Sequence, residues 1–351
     1  MAKPGLMMPD LNRILRQRAA GWTLCIGAGT SYPMFPNWYA LVFGLIAQDI
    51  GVAKAKGLTS KLSSGFGLDA LIQAARDRLG LSSDAFAQLL SEKLYANIKQ
   101  DLTAQEWKIF RRGLAAFHPG NMTPPMWKDF ESIMLSHFQS VSAIQLSRVV
   151  IDSEAAHFKP AAIISFNAEP LLYALINARA SATEPHSPKA LLDRVTRSVS
   201  NRNLDRIPYI FCHGLVPIEG HPSSNWHSTD KLVFSETEYL QVANSGFTWQ
   251  SSIFFESCMS RPVVFVGLSF SDPNLRRWLG IMHQNRLREL QSIQQNAASS
   301  TLHYWLNKIP DSPEEKSWIE AAVAHLGIRL VWVNDWHEIS SALRSMLGLK
   351  S

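Results

Sequence analysis

Two side chains in this sequence are suited to work together in a hydrolysis reaction. Asn167 follows the apolar run 161–166, and its amide can hold a water molecule or a hydroxyl group without adding charge. His213 follows the apolar run 207–212, and its imidazole titrates near neutral pH, where it can take a proton from a hydroxyl or from water. The pair therefore predicts a site that orients a hydroxyl or water and removes its proton.

A glycine-containing turn at residues 27–31 is a candidate anion site. The apolar run 22–26 ends there, and glycine lets the backbone turn sharply and approach a ligand closely. A helix that follows such a turn directs free N–H groups at a phosphate. A plain tight turn is the alternative. The phosphate interpretation assigns the diphosphate contacts to the main-chain N–H groups and the serine hydroxyl of Gly27, Ala28, Gly29 and Ser31.

Strands must bring these residues together. The apolar runs 22–26, 161–166, 207–212 and 262–267 each lead into polar residues, and 302–306 and 328–333 supply two more strands. The pattern predicts an α/β fold with a Rossmann-like parallel sheet of about six strands, flanked by helices. Ligands of such sheets bind at the carboxyl ends of the strands, so we expect the polar tips to meet in one crevice.

The helical periodicity of residues 66–155 predicts an α-helical insertion, residues 56–158, within a single domain that spans residues 1–351. Residues 10–20 are expected to form an amphipathic helix, and 54–65 a mobile linker. Residues 180–206 are expected to be a surface excursion. Trp38 is expected to pack the start of a helix, with stacking on a ligand as the alternative.

A dehydrogenase fingerprint is excluded. It requires a third glycine and an acidic residue at the end of a second strand. No third glycine follows Gly29, and Asp49, which has the spacing, lies in a helical pattern.

Composition describes an ordinary globular chain. Of 351 residues, 46% are hydrophobic and 18% are charged, and the net charge of +5 mildly favours anionic ligands. The basic residues are scattered, so direct nucleic-acid binding is not indicated. The sequence has no apolar run long enough for a membrane span and no signal-peptide core, so we expect a cytoplasmic protein.

The cysteines argue against a zinc module. Cys25, Cys212 and Cys258 are far apart, and the sequence contains no Cys-x-x-Cys pair, so we expect buried, reduced thiols. A zinc site at His221 and His227 is conceivable, but loop histidines are usually solvated, and no metal is expected.

Four motifs, in this order, resemble the SIR2-like, or sirtuin-type, superfamily. They are the Gly-Ala-Gly-Thr-Ser turn, the strand that ends at Asn167, the His213-Gly214 pair and the Gly267-Leu268-Ser269 segment. The resemblance runs from about residue 20 to the end of the chain. It implies that Asn167 and His213 are catalytic and that NAD is the substrate. The cofactor-binding residues are then expected to be Gly27, Ala28, Gly29, Ser31, Asn37, Gly267, Ser269 and Asp272.

Two departures from the family pattern qualify this resemblance. Glu169 stands where the family more often has aspartate, which alters the orientation of Asn167, and Phe35 stands where glycine usually precedes proline. Asp272 and Asn274 are either ribose contacts or the cap of the next helix, and capping is the preferred interpretation.

Similarity to bacterial antiphage SIR2-like proteins implies an NAD glycohydrolase that depletes NAD in an infected cell. The expected partners are further copies of the chain and a sensor, such as a HerA-like ATPase or an Argonaute-type protein. Two alternatives remain open. One is a protein deacylase or ADP-ribosyltransferase, which the cysteine count disfavours because the deacylases generally carry a four-cysteine zinc module. The other is a non-catalytic module that binds NAD or ADP-ribose.

Overall fold

The computed structural model describes residues 4–16, 21–116, 119–183, 191–197, 203, 205–216, 218, 232–244, 248–293 and 303–349. Within these residues seven parallel strands form one sheet. The strands are β1 Thr23–Ile26, β2 Ala162–Ser165, β3 Leu192–Val195, β4 Ile207–Phe211, β5 Val263–Val266, β6 His303–Lys308 and β7 Ile328–Val333. Their order in the sheet is β3-β4-β2-β1-β5-β6-β7.

Helices cover both faces of this sheet. They are α1 Trp38–Ile50, α2 Val52–Ser63, α3 Leu68–Leu79, α4 Ser83–Asp101, α5 Ala104–Ala115, α6 Pro124–His137, α7 Ser142–Ala155, α8 Leu171–Thr183, α9 Glu236–Asn244, α10 Trp249–Ser260, α11 Pro273–Ser292, α12 Pro313–Ala324 and α13 Ile339–Leu347. The predicted α/β, Rossmann-like fold class is confirmed.

The central strands are buried on both faces. Every residue of β1, β2 and β5 is buried, which explains why these strands read as continuous apolar runs rather than as alternating patterns. Leu24 and Ile26 point into a core shared with α1, α8, α13 and the helices between β1 and β2. Cys25 and Phe265 point into the opposite core, which contains residues of α10, α11 and α12.

The connection from β1 to β2 carries seven helices, α1 to α7, and β1 lies between β2 and β5 in the sheet. The chain therefore builds the sheet outward on both sides of β1. At such a point the connections that follow neighbouring strands lead to opposite sides, and a ligand crevice forms outside the carboxyl ends of these strands.

Strand β3 was not predicted, because it lies in the segment expected to be a surface excursion. It pairs with β4 from Leu192 opposite Ile207 to Val195 opposite Ile210. Only its two ends are buried, and Asp193 and Arg194 lie between them. A four-residue edge strand with a polar centre lacks the apolar pattern by which strands are found in a sequence.

The expected helix at residues 10–20 is wrong for its described part. A short 3₁₀ helix spans Met8–Leu11, and Arg13 has a positive φ of 56°. The backbone N–H groups of Arg13 and Leu15 donate to carbonyls near the end of α13, at Ser345 and Met346. Tertiary hydrogen bonds replace the helical ones, while Leu11 and Leu15 are still fully buried.

The expected linker at residues 54–65 is also wrong, because α2 occupies most of it. Gly51 turns the chain between α1 and α2 with a φ of 82°. Ala55 and Thr59 are fully buried on one face of α2. Small and polar residues here serve close helix packing rather than mobility.

Candidate active site

The turn after β1 is held tightly against the turn after β5. A Cβ atom on Gly27 would lie 2.7 Å from the carbonyl oxygen of Gly267, and one on Gly29 would lie 2.9 Å from the Cα of Gly267. Gly267 itself has a φ of 68°. Only glycine permits this approach of two backbones, so these three glycines bring the carboxyl ends of β1 and β5 together.

Most amides of the turn already have partners inside the protein. The N–H groups of Gly27 and Gly29 donate to the carbonyls of Val266 and Gly267. Those of Thr30 and Ser31 donate to carbonyls within the turn itself. The prediction that the N–H groups of Gly27, Ala28, Gly29 and Ser31 bind a diphosphate stays a prediction, and three of these four groups, those of Gly27, Gly29 and Ser31, are already bonded within the protein.

Asn167 lies just beyond the end of β2 and is only 5% exposed. Its Nδ2 donates to Glu169 Oε1 at 2.8 Å. The same nitrogen donates to the hydroxyls of Thr30 at 3.2 Å and Ser31 at 3.4 Å. Three acceptors around one nitrogen fix the orientation of the amide, since a flipped amide would turn its oxygen toward these groups.

The other end of the Asn167 amide is available to a ligand. Its Oδ1 is buried, and no described residue donates a hydrogen bond to it. A buried acceptor without a donor costs free energy, so such atoms call for a bound group. The amide as placed can accept a hydrogen bond from a water molecule or from a substrate hydroxyl.

Glu169 is buried beside Asn167. Burial raises the pKa of Glu169 from 4.5 to about 7, against hydrogen bonds from Leu171, Ser31 and Asn167 that favour the carboxylate. Its Oε2 accepts the N–H of Leu171 at 2.5 Å, at the start of α8. The longer side chain in place of aspartate thus reaches both the helix start and the Asn167 amide.

His213 occupies the position next to Asn167 on the neighbouring strand. Ser165 is paired with Phe211 in the register of β2 and β4, and each candidate residue lies two positions beyond that pair. His213 is 6% exposed, and its ring packs against the rings of Phe166 and Trp38. The fold therefore places both candidate residues beyond the carboxyl ends of neighbouring strands, β2 and β4, and their joint role in catalysis stays a prediction.

Burial disfavours the charged form of the His213 imidazole. Burial lowers its pKa, and the carboxylate of Asp272 and the carbonyl of Phe166 partly oppose this effect. Its Nε2 lies 3.2 Å from the hydroxyl of Tyr239 and 3.9 Å from Asp272 Oδ2. A neutral imidazole beside a carboxylate can accept a proton, because the carboxylate stabilises the resulting cation.

A pocket opens beside these residues. Its cavity volume is about 40 Å³, which holds water-sized groups and lies below the range of about 300–1,000 Å³ for small-molecule sites. Its wall is mostly apolar, with the polar groups of Ser31, Asn167 and Glu169 on one side. The lining residues are Ala28, Ser31, Phe35, Pro36, Trp38, Leu41, Leu94, Phe166, Asn167, Ala168, Glu169 and Phe234.

The helices between β1 and β2 form part of this pocket. Leu94 of α4 lines it, and the neighbouring Tyr95 donates its hydroxyl to the carbonyl of Val216 at 3.1 Å. The ring of Tyr95 also packs edge-on against Phe35 at 5.6 Å. Thus α4 contacts both the loop after β1 and the segment after β4.

The other expected contact residues lie outside the pocket wall. Asn37 caps α1, since its Oδ1 accepts the N–H of Ala40 at 2.9 Å. The hydroxyl of Ser269 bonds to that of Ser271 at 2.7 Å. Asp272 caps α11 through its Oδ1, as the capping interpretation predicted, while its Oδ2 faces His213.

Sequence reasoning missed several site residues. Thr30, between two residues that were named, is 1% exposed and accepts a hydrogen bond from Asn167, and its position in the turn was the available signal. Leu94, Phe234 and Tyr239 reach the site from distant segments, and no local pattern marks them. His221 and His227 lie outside the described residues.

Two general findings bear on the site. Among the described residues no group of three or more His, Cys, Asp or Glu side chains is placed to hold a metal ion. Within the same residues no helix combines the length and the apolar character needed to cross a membrane.

Comparison with known families adds an independent observation. A family model described as the SIR2-like domain matches residues 172–329, from α8 into β7. This part of the chain is therefore similar to the SIR2-like domain. A search of curated proteins found no match to this chain. The match contains His213, Gly267 and Asp272, whereas the glycine turn and Asn167 precede it.

Similarity to the SIR2-like domain points to NAD as something that the protein binds or uses. The described residues fit such a ligand at three points. They offer a buried acceptor on Asn167 without a described donor, an imidazole on His213 whose charged form is disfavoured by burial, and a small pocket at the carboxyl ends of the central strands.

Proposed function

We propose that this SIR2-like protein is an NAD glycohydrolase, which converts NAD and water into ADP-ribose, nicotinamide and a proton. The observation that carries the proposal is the buried Oδ1 of Asn167, which has no donor among the described residues. Asn167 lines the pocket, and His213 lies at the corresponding position beyond the end of the neighbouring strand β4. This pair can orient a hydroxyl group and accept its proton in a setting largely closed to water.

The reaction breaks the bond between the nicotinamide nitrogen and C1′ of the ribose. The bonding electrons leave with nicotinamide, so the ribose passes through an oxocarbenium-like state of the kind known from glycoside hydrolysis. Water then forms the new bond to C1′ and loses a proton. Asn167 Oδ1 accepts a hydrogen bond from that water or from a ribose hydroxyl, and His213 accepts the proton.

The cysteines favour hydrolysis over protein deacylation. All three are free and buried, and they belong to the same core beside the sheet. The four-cysteine zinc module that sirtuin-type deacylases generally carry therefore has no counterpart in this chain, which contains three cysteines.

Nicotinamide release by purified protein tests the proposal. We expect Asn167→Ala and His213→Ala each to reduce the rate by about 100-fold or more, because general acid–base groups contribute about 10²–10⁴. Asn334→Ala and His337→Ala, which alter exposed residues just after β7 at the edge of the sheet, serve as matched controls and should stay within twofold. Nicotinamide release that persists in both Asn167→Ala and His213→Ala would show that these two residues are not the catalytic ones.

The products separate the alternatives. Equal amounts of nicotinamide and ADP-ribose indicate hydrolysis. Release that requires an acylated peptide or another nucleophile indicates a deacylase or ADP-ribosyltransferase. NAD binding without release, with candidate partners present, indicates a non-catalytic module.

We further propose that the protein is the effector of a bacterial antiphage system and acts in the cytoplasm by depleting NAD. The resemblance to defence proteins supports this role. Constitutive activity would kill the host, so control by self-association or by a HerA-like ATPase or Argonaute-type partner is expected. Cellular NAD should fall after phage infection in bacteria that express the chain with its partner, and should not fall with Asn167→Ala.

A further inference from the structure

Tyr239, on α9, contacts the catalytic centre proposed above. Its hydroxyl lies 3.2 Å from Nε2 of His213, and the two rings meet edge-on with their centroids 5.4 Å apart. Burial raises the pKa of Tyr239 well above 10, with further contributions from Asp272, Asp69 and Glu238. The hydroxyl therefore keeps its proton and can either donate to a neutral Nε2 or accept from a protonated one.

The remaining surroundings of His213 offer few polar partners. Phe166, Trp38 and Phe234 present aromatic rings from the residue after β2, from α1 and from the segment before α9. The charged group that faces the imidazole is Asp272 at the start of α11, with Oδ2 3.9 Å from Nε2 and Oδ1 committed to the helix cap. The Tyr239 hydroxyl is the nearer of these two partners, at ordinary hydrogen-bond distance.

Glu238, the neighbour of Tyr239, bonds to the helical layer, by which we mean α3 and α4. Oε2 of Glu238 accepts the backbone N–H groups of Phe234 and Ser235, each at 2.9 Å. Its Oε1 pairs with the guanidinium of Arg76 on α3 at 3.1 Å. Arg76 in turn donates to Ser83 and lies over the ring of Phe86.

We propose that Tyr239 is a positioning residue for His213 and that the Arg76–Glu238 ion pair transmits the placement of the helical layer to it. The expected effect on turnover rests on the proposed function. The contact between the tyrosine hydroxyl and the imidazole does not depend on that function. The contact holds the ring where Nε2 faces Asp272, so that a proton accepted by His213 is stabilised.

A histidine titration tests the contact without any turnover. Hydrogen bonds to a charged donor are roughly twice as strong as neutral ones, so loss of the hydroxyl disfavours the protonated ring. In NMR spectra of histidine-labelled protein, with the His213 signal assigned from His213→Gln, we expect Tyr239→Phe to lower the pKa of His213 by about one pH unit. Tyr39→Phe, on α1 and exposed, is the matched control and should leave this pKa unchanged.

Kinetics test the consequence. We expect Tyr239→Phe to lower kcat for nicotinamide release about tenfold and to leave KM within twofold, because the lost contact orients His213 rather than the substrate. Arg76→Met should lower kcat in the same direction by a smaller factor, and Arg76→Lys should restore part of it. Arg78→Met breaks a different ion pair on the same helix, with Asp49, and should have no effect.

The outcomes are distinct. An unchanged His213 pKa in Tyr239→Phe overturns the positioning role, whatever the turnover. A shifted pKa in a protein that never releases nicotinamide supports the contact and counts against the proposed function. Equal effects of Arg76→Met and Arg78→Met on kcat would show that the Arg76–Glu238 ion pair has no specific role in placing Tyr239.

Discussion

Asn167 and Glu169, which follow β2, have different roles in the candidate site. Glu169 accepts hydrogen bonds from Nδ2 of Asn167 and from the N–H at the start of α8, while Oδ1 of Asn167 has no donor among the described residues. A carboxyl group with a pKa of about 7 is half-ionised near neutral pH. The ionised carboxylate only accepts hydrogen bonds, whereas the protonated group also carries an O–H donor. The orientation of the Asn167 amide therefore depends on the charge of Glu169.

Glu169→Gln should change how stability depends on pH. The folded state binds the Glu169 proton more tightly than the unfolded state, so the stabilisation is fully present below pH 4.5 and is lost as pH rises to about 7. The difference between these pKa values, at about 1.4 kcal/mol per pH unit, corresponds to about 3 kcal/mol. Urea unfolding at several pH values should show this loss in the native protein but not in Glu169→Gln.

Exposed Glu92 provides the control for that measurement, and Glu92→Gln should follow the native curve. Parallel curves for native protein and Glu169→Gln would mean that the carboxyl is not desolvated as the structure has it.

At the scale of elements, the site depends on two turns that meet backbone to backbone. The turn after β1 and the turn after β5 are joined by the hydrogen bond from Gly29 N–H to the Gly267 carbonyl at 2.9 Å. This contact places Ser31 beside Asn167 and sets the start of the segment that leads to Asp272. The chemistry at β2 and β4 is thus tied to the geometry at β1 and β5.

Gly267→Ala should damage this junction. Its φ of 68° is unfavourable for alanine, and the new Cβ would lie 2.5 Å from the backbone nitrogen of Thr30. Strain and overpacking together should lower the free energy of unfolding by about 3 kcal/mol or more. Gly80→Ala is a matched control, because Gly80 has a similar φ of 61° and open space around it, and should cost about 1 kcal/mol.

Urea unfolding of both variants measures the difference. Equal losses would mean that only the backbone conformation, and not the contact with Thr30, restricts position 267.

At the scale of the whole molecule, the N-terminal segment protects one edge of the sheet. Leu6 forms a parallel bridge with Val331 of β7, donates its N–H to Leu330 at 2.8 Å and accepts from Trp332 at 2.9 Å. Exposed edges are sites of unwanted pairing between chains, so this segment matters for solubility as well as stability.

Leu6→Pro should expose that edge. Proline removes the N–H that bonds to Leu330, which should lower the free energy of unfolding by about 1–3 kcal/mol and promote aggregation. Leu6→Val keeps the backbone donor and is the control. Urea unfolding and light scattering together measure both effects, and a soluble Leu6→Pro protein of native stability would contradict the assignment.

The amino-acid sequence alone determined the α/β class and six of the seven described strands, and it predicted that Asn167 and His213 follow two of these strands. Buried parallel strands are continuous apolar runs, and their polar tips follow directly in the chain, so local order carries this information. The sequence could not reveal β3, a short edge strand with a polar centre, or the tertiary hydrogen bonds that replace a helix near Arg13.

Only the tertiary structure decided which atoms face the pocket. The approach of Gly267 to Gly29, the three acceptors around Asn167 Nδ2 and the reach of Tyr239 and Leu94 into the site all join residues far apart in the chain. Such contacts depend on how helices and turns pack over the sheet. No local pattern encodes that packing, because each partner is an ordinary residue until the fold brings it beside the other.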